Sequence, residues 1–182
     1  QGLGYGVVLY APQGDAVDVI VEANRFDYNR HAIAGSGFTG QDYTAHDNLV
    51  MPNANGHIFD MHGVNERLKD GSPGAGGAIL IHDNIVLPAE HYALVVRGRP
   101  LHGAWLYDNC LAQTSASRAA YQRFFTGNFY VGAGPDGPGA NRYDQRPRDC
   151  TPLRWCYASG GAAPWAYLAR SSDPISRLRL GD

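Results

Sequence analysis

The chain is poor in the residues that build solvent-facing helix: Lys69 is its only lysine, and Glu22, Glu66 and Glu90 are its only glutamates. That scarcity argues against a mainly helical fold. No basic run exists either. The arginines are spread from Arg25 to Arg179, the cluster Arg142, Arg146, Arg148 is interrupted by Asp144 and Asp149, and the net charge is −2. Capture of a phosphate backbone takes clustered cations, so nucleic acid is not an expected partner. No apolar stretch approaches the ~20 residues needed to cross a bilayer, so no membrane span is expected.

Cysteine is scarce too, with 3 in the chain and no Cys-x-x-Cys pair. This speaks against a structural zinc site or thioredoxin-type chemistry. Cys150 and Cys156 enclose Thr151-Pro152-Leu153-Arg154-Trp155, a loop that closes as a disulfide in an oxidising compartment. Cys110 is then unpaired, although it could bridge to either of the others, since spacing does not determine connectivity. The chain starts at Gln1 without an initiator Met, which reads as a processed or trimmed chain. The expected location is extracellular, on the cell surface or in a virion.

What the chain has in quantity is turn vocabulary, with 23 glycines and 11 prolines beside many Asn and Asp residues. Its 182 residues suit one β-rich domain with a real core. Gly6 to Tyr10 and Val17 to Ala23 flank the turn Pro12-Gln13-Gly14-Asp15 and read as a hairpin or meander. In the second stretch Val17, Val19 and Val21 alternate with Asp18, Ile20 and Glu22, the pattern of a half-buried strand.

The most informative stretch holds a heptad that occurs twice. His46-Asp47-Asn48-Leu49-Val50-Met51-Pro52 returns as His82-Asp83-Asn84-Ile85-Val86-Leu87-Pro88, identical except for Leu49/Ile85 and Met51/Leu87. After the first copy, Asn53-Ala54-Asn55-Gly56 is a hairpin turn signal with His57 to His62 as the return strand. Around the second, Ile79, Ile81, Val86, Leu94, Val96 and Trp105 are the expected core of a sheet whose further strands are His91 to Arg97 and Leu101 to Tyr107. Thr114-Ser115 caps one expected helix, about residues 114–126, with Ala116, Ala120 and Phe124 at i, i+4 spacing and Gly127 as its stop. Cys110, just before that helix, could be an activated thiolate, but packing as a small hydrophobe is the commoner role, and no catalytic residue is assigned.

The doubled His-Asp-Asn admits a structural reading, in which Asp and Asn side chains cap a bend, and a functional one. The alternation His46-x-Asn48-x-Val50 resembles the Asp-x-Asn-x-Val stretch of bulb-type mannose lectins. Thr44 or Leu80 stands where that family has Gln, His replaces its Asp, and Pro52 or Pro88 replaces its Tyr. A glycan or other ligand bound near the two heptads would take its contacts from Asp47, Asn48, Asp83 and Asn84, with Tyr43 or Trp105 stacking. All 7 histidines lie between His31 and His102, and His46, His62, His82 and His91, with His57 beside them, are candidate ligands for a divalent metal brought together across strands. Within one extended strand His57 and His62 face opposite sides, while Asp60 and His62 share a side.

Beyond residue 131 the chain is rich in glycine, proline and aromatics, including Tyr143, Trp155, Tyr157, Trp165 and Tyr167. The expected division is a core over 1–131 and an ordered C-terminal arm over 132–182, packed on the same domain or a neighbouring subunit. The expected architecture is all-β and mainly antiparallel, a β-sandwich or jelly roll with one short helix. The leading expectation for function is a non-catalytic structural or assembly subunit of an extracellular or viral particle that associates with its own copies. A glycan- or ligand-binding module and a metal-dependent enzyme built on the histidines are the alternatives.

Overall fold

The alternation in Val17–Glu22 makes a strand, but that strand pairs with the strand one coil later and not with its neighbour in sequence. The structure, a computed structural model, describes residues 4–10, 15–63, 66–146 and 150. It winds the chain into rungs of three short strands. The first rung has β1 (Tyr5–Leu9), β2 (Val17–Glu22) and β3 (Arg25–Phe26), and the second has β4 (His31–Gly35), β5 (Gln41–His46) and β6 (Leu49–Val50). The third has β7 (Phe59–Met61), β8 (Ala78–His82) and β9 (Ile85–Val86), and the fourth β10 (Leu94–Val96), β11 (Gly103–Tyr107) and β12 (Cys110–Leu111). The last rung opens with α1 (Ala116–Ala119) and continues through β13 (Ala120–Gln122), β14 (Phe129–Val131), β15 (Ala133–Gly134) and β16 (Gly137–Pro138).

Stacked rungs make three sheets, all parallel: sheet A in the order β1-β4-β7-β10-β13, sheet B in the order β2-β5-β8-β11-β14, and sheet C in the order β3-β6-β9-β12. The fold is therefore a parallel β-solenoid of about five turns, and the antiparallel sandwich or jelly roll is overturned. Only β15 and β16 pair antiparallel among the described strands.

The corner between sheets B and C explains the repeated heptad. Ala23, Asp47, Asp83 and Asp108 sit there at φ 55, 53, 53 and 53, a left-handed conformation that costs an L-residue about 1–2 kcal/mol and that Asp tolerates better than most. Each is followed by an asparagine. Asn48 Nδ2 donates to the Val21 and His46 carbonyls at 2.8 and 2.9 Å, and its Oδ1 accepts the Asn24 amide at 3.0 Å. Asn84 accepts the Asn48 amide, Asn109 that of Asn84, and Asn141 that of Asn109, each at 3.0 Å. The backbone groups exposed by each bend are thus satisfied by the amide of the next rung.

The interior is filled by side chains in register. Tyr43, Ile79 and Ala104 stack from sheet B, Ile33, Phe59 and Leu94 from sheet A, and Val50, Val86 and Leu111 from sheet C, all in one buried cluster. A second cluster covers the other side of sheet C: Leu49, Met51, Ile85, Leu87 and Cys110, with Cys150 disulfide-bonded to Cys110. The Cys150–Cys156 loop is therefore not the disulfide, and Cys156 lies outside the described residues.

Other local expectations change for the same reason. Gly6–Tyr10 and Val17–Ala23 are not a hairpin, because β1 belongs to sheet A and β2 to sheet B. Asn53–Gly56 does not fold His57–His62 back on the first heptad but carries the chain from sheet C to sheet A. The helix shortens to Ala116–Ala119, and Ser115 makes no side-chain cap bond. From Ala120 the chain extends to pair with Leu94, since a ladder bond in the sheet outcompetes helix propensity at that point. Of the six expected core residues, Ile79, Ile81, Val86, Leu94 and Val96 are buried, whereas Trp105 points outward and stacks on Tyr130 at 5.6 Å. The boundary expected at residue 131 falls within the last rung, and Asn141 beyond it completes the ladder; residues 151–182 of the expected arm lie outside the described residues.

Asn84→Ala should lower the unfolding free energy by about 3–5 kcal/mol, because it strands the buried amide groups of Asn48 and the Ala45 carbonyl. Asn24→Ala, at the open end of the ladder, should cost about 1 kcal/mol. Urea denaturation compares the two, and equal costs would show that the ladder is not what holds the corners. Cys150→Ser releases a crosslink across a sequence separation of 40 and should cost about 2–4 kcal/mol, read as a fall in melting temperature that reducing agent reproduces in the parent protein.

Candidate functional site

Alternation along β7 sends Phe59 and Met61 into the core and Asp60 to the outer face of sheet A. The register places Asp60 in a column with Val8, Ala34, Val95 and Tyr121. Every other member of that column is apolar or aromatic. Asp60 is nonetheless 0% exposed, because side chains close over it.

Those side chains come from both ends of β7 and from adjacent rungs. His62 Nε2 lies 2.8 Å and Arg97 Nη2 3.0 Å from Asp60 Oδ2, and His57 Nε2 lies 2.9 Å from Oδ1. His31 Nε2 is 3.8 Å from Oδ2, on a ring that is 1% exposed. His31 stacks on Tyr5 at a centroid distance of 5.1 Å and meets the His57 ring at 4.1 Å with a tilt of 33°, and Arg30 covers the Tyr5 ring at 5.9 Å.

The backbone holds these groups in line. The residues following β4, β7, β10 and β13 are Ser36, His62, Arg97 and Arg123, and their amides donate to Leu9, Gly35, Met61 and Val96 of the preceding rung at 3.1, 2.9, 3.0 and 2.8 Å. His62, Arg97 and Arg123 therefore form a column of their own. Two glycines permit this packing: a Cβ on Gly37, at φ 96, would meet the His62 carbonyl at 2.2 Å, and one on Gly63 would meet the Arg97 carbonyl at 1.9 Å.

Partners settle the tautomer of His31. His31 Nδ1 faces the His57 carbonyl at 2.5 Å, and a carbonyl only accepts, so Nδ1 carries the hydrogen and Nε2 the lone pair. His57 Nε2 stands between the Asp60 Oδ1 acceptor at 2.9 Å and the Arg97 Nη2 donor at 3.3 Å, so its two neighbours ask for opposite tautomers. Burial pushes His31 down to about 4, so the ring is neutral at pH 7. Burial pushes the Asp60 carboxyl up, but the neighbouring His57, His62 and Arg97 outweigh it and hold the group well below the usual carboxylate range. The result is an ionised carboxylate beside a neutral buried imidazole. Such a set can accept protons, orient a hydroxyl or hold a cation.

The residues expected from sequence lie elsewhere, except His57 and His62. His46 and His82 stack at 5.2 Å at the corner between sheets B and C, His82 stacks on Tyr107 at 5.0 Å, and each imidazole contacts its own aspartate, Asp47 at 2.8 Å or Asp83 at 2.9 Å. The two His-Asp-Asn units are thus adjacent steps of one ladder. Asn48 and Asn84 are 0% exposed and their amides are occupied within it. Tyr43 is buried in the core, where burial and then the Asp60 charge raise its hydroxyl pKa. His91 sits before β10 and gives its carbonyl to Gln113.

Of the histidines expected as metal ligands, His57 and His62 belong to the Asp60 cluster; His31, Asp60 and Arg97 are its other members. Facing rules for an extended strand separate His57 from His62, but β7 is only Phe59–Met61, and the bends at both ends bring the two rings back to one carboxylate. The signal available in the sequence was the run His57-Ile58-Phe59-Asp60-Met61-His62, with an acid inside an apolar strand and a histidine at either end. Comparison with known proteins gives no matching family model, no matching curated protein and no matching solved structure.

In the unfolded chain His31 takes its proton near 6.5, and in the folded one only near 4. The folded state therefore loses about 3 kcal/mol to the unfolded one as pH falls from 6.5 to 4. Asp60 acts in the same direction but only below the ordinary carboxylate value of 3.8. His31→Gln should flatten the stability profile between pH 6.5 and 4 relative to the parent, measured by urea unfolding at a series of pH values; parallel profiles would remove this role.

Proposed function

We propose that this chain is an extracellular ligand-binding solenoid that holds an extended acidic glycan along the outer face of sheet A, over the Asp60 cluster. The observation that carries the reading is the column His62–Arg97–Arg123, which runs beside Tyr121 in a chain of net charge −2. Arg97 offsets the Asp60 charge, and Arg123 and Arg30 leave the face with net positive charge. Guanidinium groups in line suit carboxylates or sulfates repeated along a polymer.

Aromatic surface flanks the cluster on both sides. Tyr5 lies on the first rung, while Tyr92 and Tyr121 stack at 5.5 Å on the last two, beside a cavity of about 290 Å³ lined by Ala89, Glu90, Tyr92, Thr114 and Arg118. At ~4.8 Å per rung the face offers roughly 20 Å of continuous contact. The column itself supports function at Asp60. Ala34 and Val95 occupy the neighbouring rungs, so the fold does not require a charge there, and burying one costs several kcal/mol before its partners compensate.

This places the glycan reading on a different face from Asp47, Asn48, Asp83 and Asn84. The Cys110–Cys150 disulfide supports an oxidising, extracellular location, whether a cell surface or a virion, and no helix among the described residues is long and apolar enough to cross a membrane. The assembly-subunit reading rested on the lysine-poor, turn-rich composition, on the lack of a catalytic motif and on the arm, most of which lies outside the described residues.

Affinity electrophoresis in gels containing polyuronate or neutral dextran tests the proposal. Polyuronate should retard the protein in a salt-sensitive manner, dextran should not, and Arg123→Ala with Tyr121→Ala should weaken the retardation about tenfold. Equal retardation by both polymers, or by duplex DNA as strongly as by polyuronate, would sink the acidic-glycan assignment.

A further inference from the structure

Independently of any glycan, the interior of the Asp60 cluster has the electronic character of a cation site. His31 Nε2 is buried and has no donor among the described residues, and Asp60 Oδ1 is likewise buried without one. His57 Nε2 stands 2.9 Å from that Oδ1, yet its ring is out of line for a hydrogen bond. An ionised carboxylate and imidazole nitrogens that close together favour positive charge among them. The Arg97 guanidinium supplies part of it, from 3.0 Å on the Oδ2 side. His31 Nε2 and Asp60 Oδ1 are still left unserved.

We infer that His31 Nε2, His57 Nε2 and a carboxylate oxygen of Asp60 form a three-ligand site for a divalent transition-metal ion of the zinc type. The three ligand atoms lie within 4.8 Å of one another. Two ligands about 2 Å from one ion stand roughly 3 to 4 Å apart, so a small rotation of one ring closes the set. The surroundings match what such ligands need. His31 is fixed by its Nδ1 donation to the His57 carbonyl, the arrangement that orients a metal-binding imidazole, and His62 Nε2 at 2.8 Å holds the carboxylate from outside. His31 Nε2 and the Asp60 carboxylate already carry their lone pairs, and the Nδ1–H tautomer gives His57 Nε2 the same. Imidazole donors favour zinc, cobalt and nickel over magnesium and calcium.

Three protein ligands leave a fourth position. Water or a ligand oxygen would fill it, and the neighbouring His62 side chain is 38% exposed. Arg97 makes room by giving up its 3.3 Å contact to His57 while keeping the carboxylate. The sheet B histidines offer no comparable set, because His46 and His82 face one another ring to ring and each is held by its own aspartate.

The test uses full-length protein without a histidine tag, stripped with chelator and titrated calorimetrically with zinc chloride in the absence of any polysaccharide. One equivalent should bind, magnesium chloride should give no signal, and Co²⁺ should develop the visible absorption of a four-coordinate nitrogen and oxygen site. His57→Gln and Asp60→Asn should each weaken zinc binding 100-fold or more, and His46→Ala should leave it unchanged. Absence of stoichiometric zinc in the parent protein overturns the site, as does parent-like affinity in His57→Gln or loss of binding in His46→Ala. Should Asp60→Asn fail to fold, His57→Gln decides, because that ring lies at the surface of the cluster.

Discussion

A chain that turns a right corner on two residues exposes backbone donors and acceptors toward the interior, and the asparagine ladder from Asn24 to Asn141 is what satisfies them. Every other feature of the solenoid follows from that constraint. Because each amide binds the backbone of the preceding rung, neighbouring corners must lie directly over one another, and the strands on either side are thereby brought into parallel register. The left-handed residue before each asparagine is the local cost of the turn, and aspartate occupies it on three of the four rungs whose φ is positive there.

The register set by those corners decides which side chains meet on the opposite wall. Sheet A inherits its alignment from sheets B and C, so Asp60 stands between Ala34 and Val95 and within reach of His31 from the rung before and Arg97 from the rung after. No single strand contains the cluster. It exists because the coil returns after unequal lengths of chain and still lands in register, the excess being absorbed at the corners. The longest such excursion joins β7 to β8, and Glu66 within it anchors to the Thr39 amide at 2.7 Å.

Two aromatic and imidazole ladders illustrate how similar local patterns acquire different roles. On the corner between sheets B and C, Glu22, His46, His82 and Tyr107 occupy equivalent positions, and their rings stack along the axis with each histidine satisfied by an adjacent acid. On sheet A, His31 and His57 also pack ring against ring, tilted by 33°, but the acid lies on another residue and is shared among several side chains. Sharing one buried carboxylate leaves lone pairs uncompensated. A private aspartate for each histidine does not.

Composition and alternation by themselves determined that the protein is built of short strands with many turns, that Ile79, Ile81, Val86, Leu94 and Val96 are interior, and that His46-Asp47-Asn48 and His82-Asp83-Asn84 are equivalent positions. Burial and strand propensity are local properties, and local sequence carries them. Whether the strands pair antiparallel or parallel was not legible, because period-two alternation is the same in both and the recurrence intervals of 24, 36, 25 and 32 residues between corner asparagines conceal the coil. Ala23-Asn24 and Asp108-Asn109 belong to the same series but lack the histidine that made the other two conspicuous. Only the tertiary structure decided that Cys110 meets Cys150 and that His31, His57, Asp60, His62 and Arg97 form one cluster, since residues far apart in the chain become neighbours through the coil's register and not through their spacing in sequence.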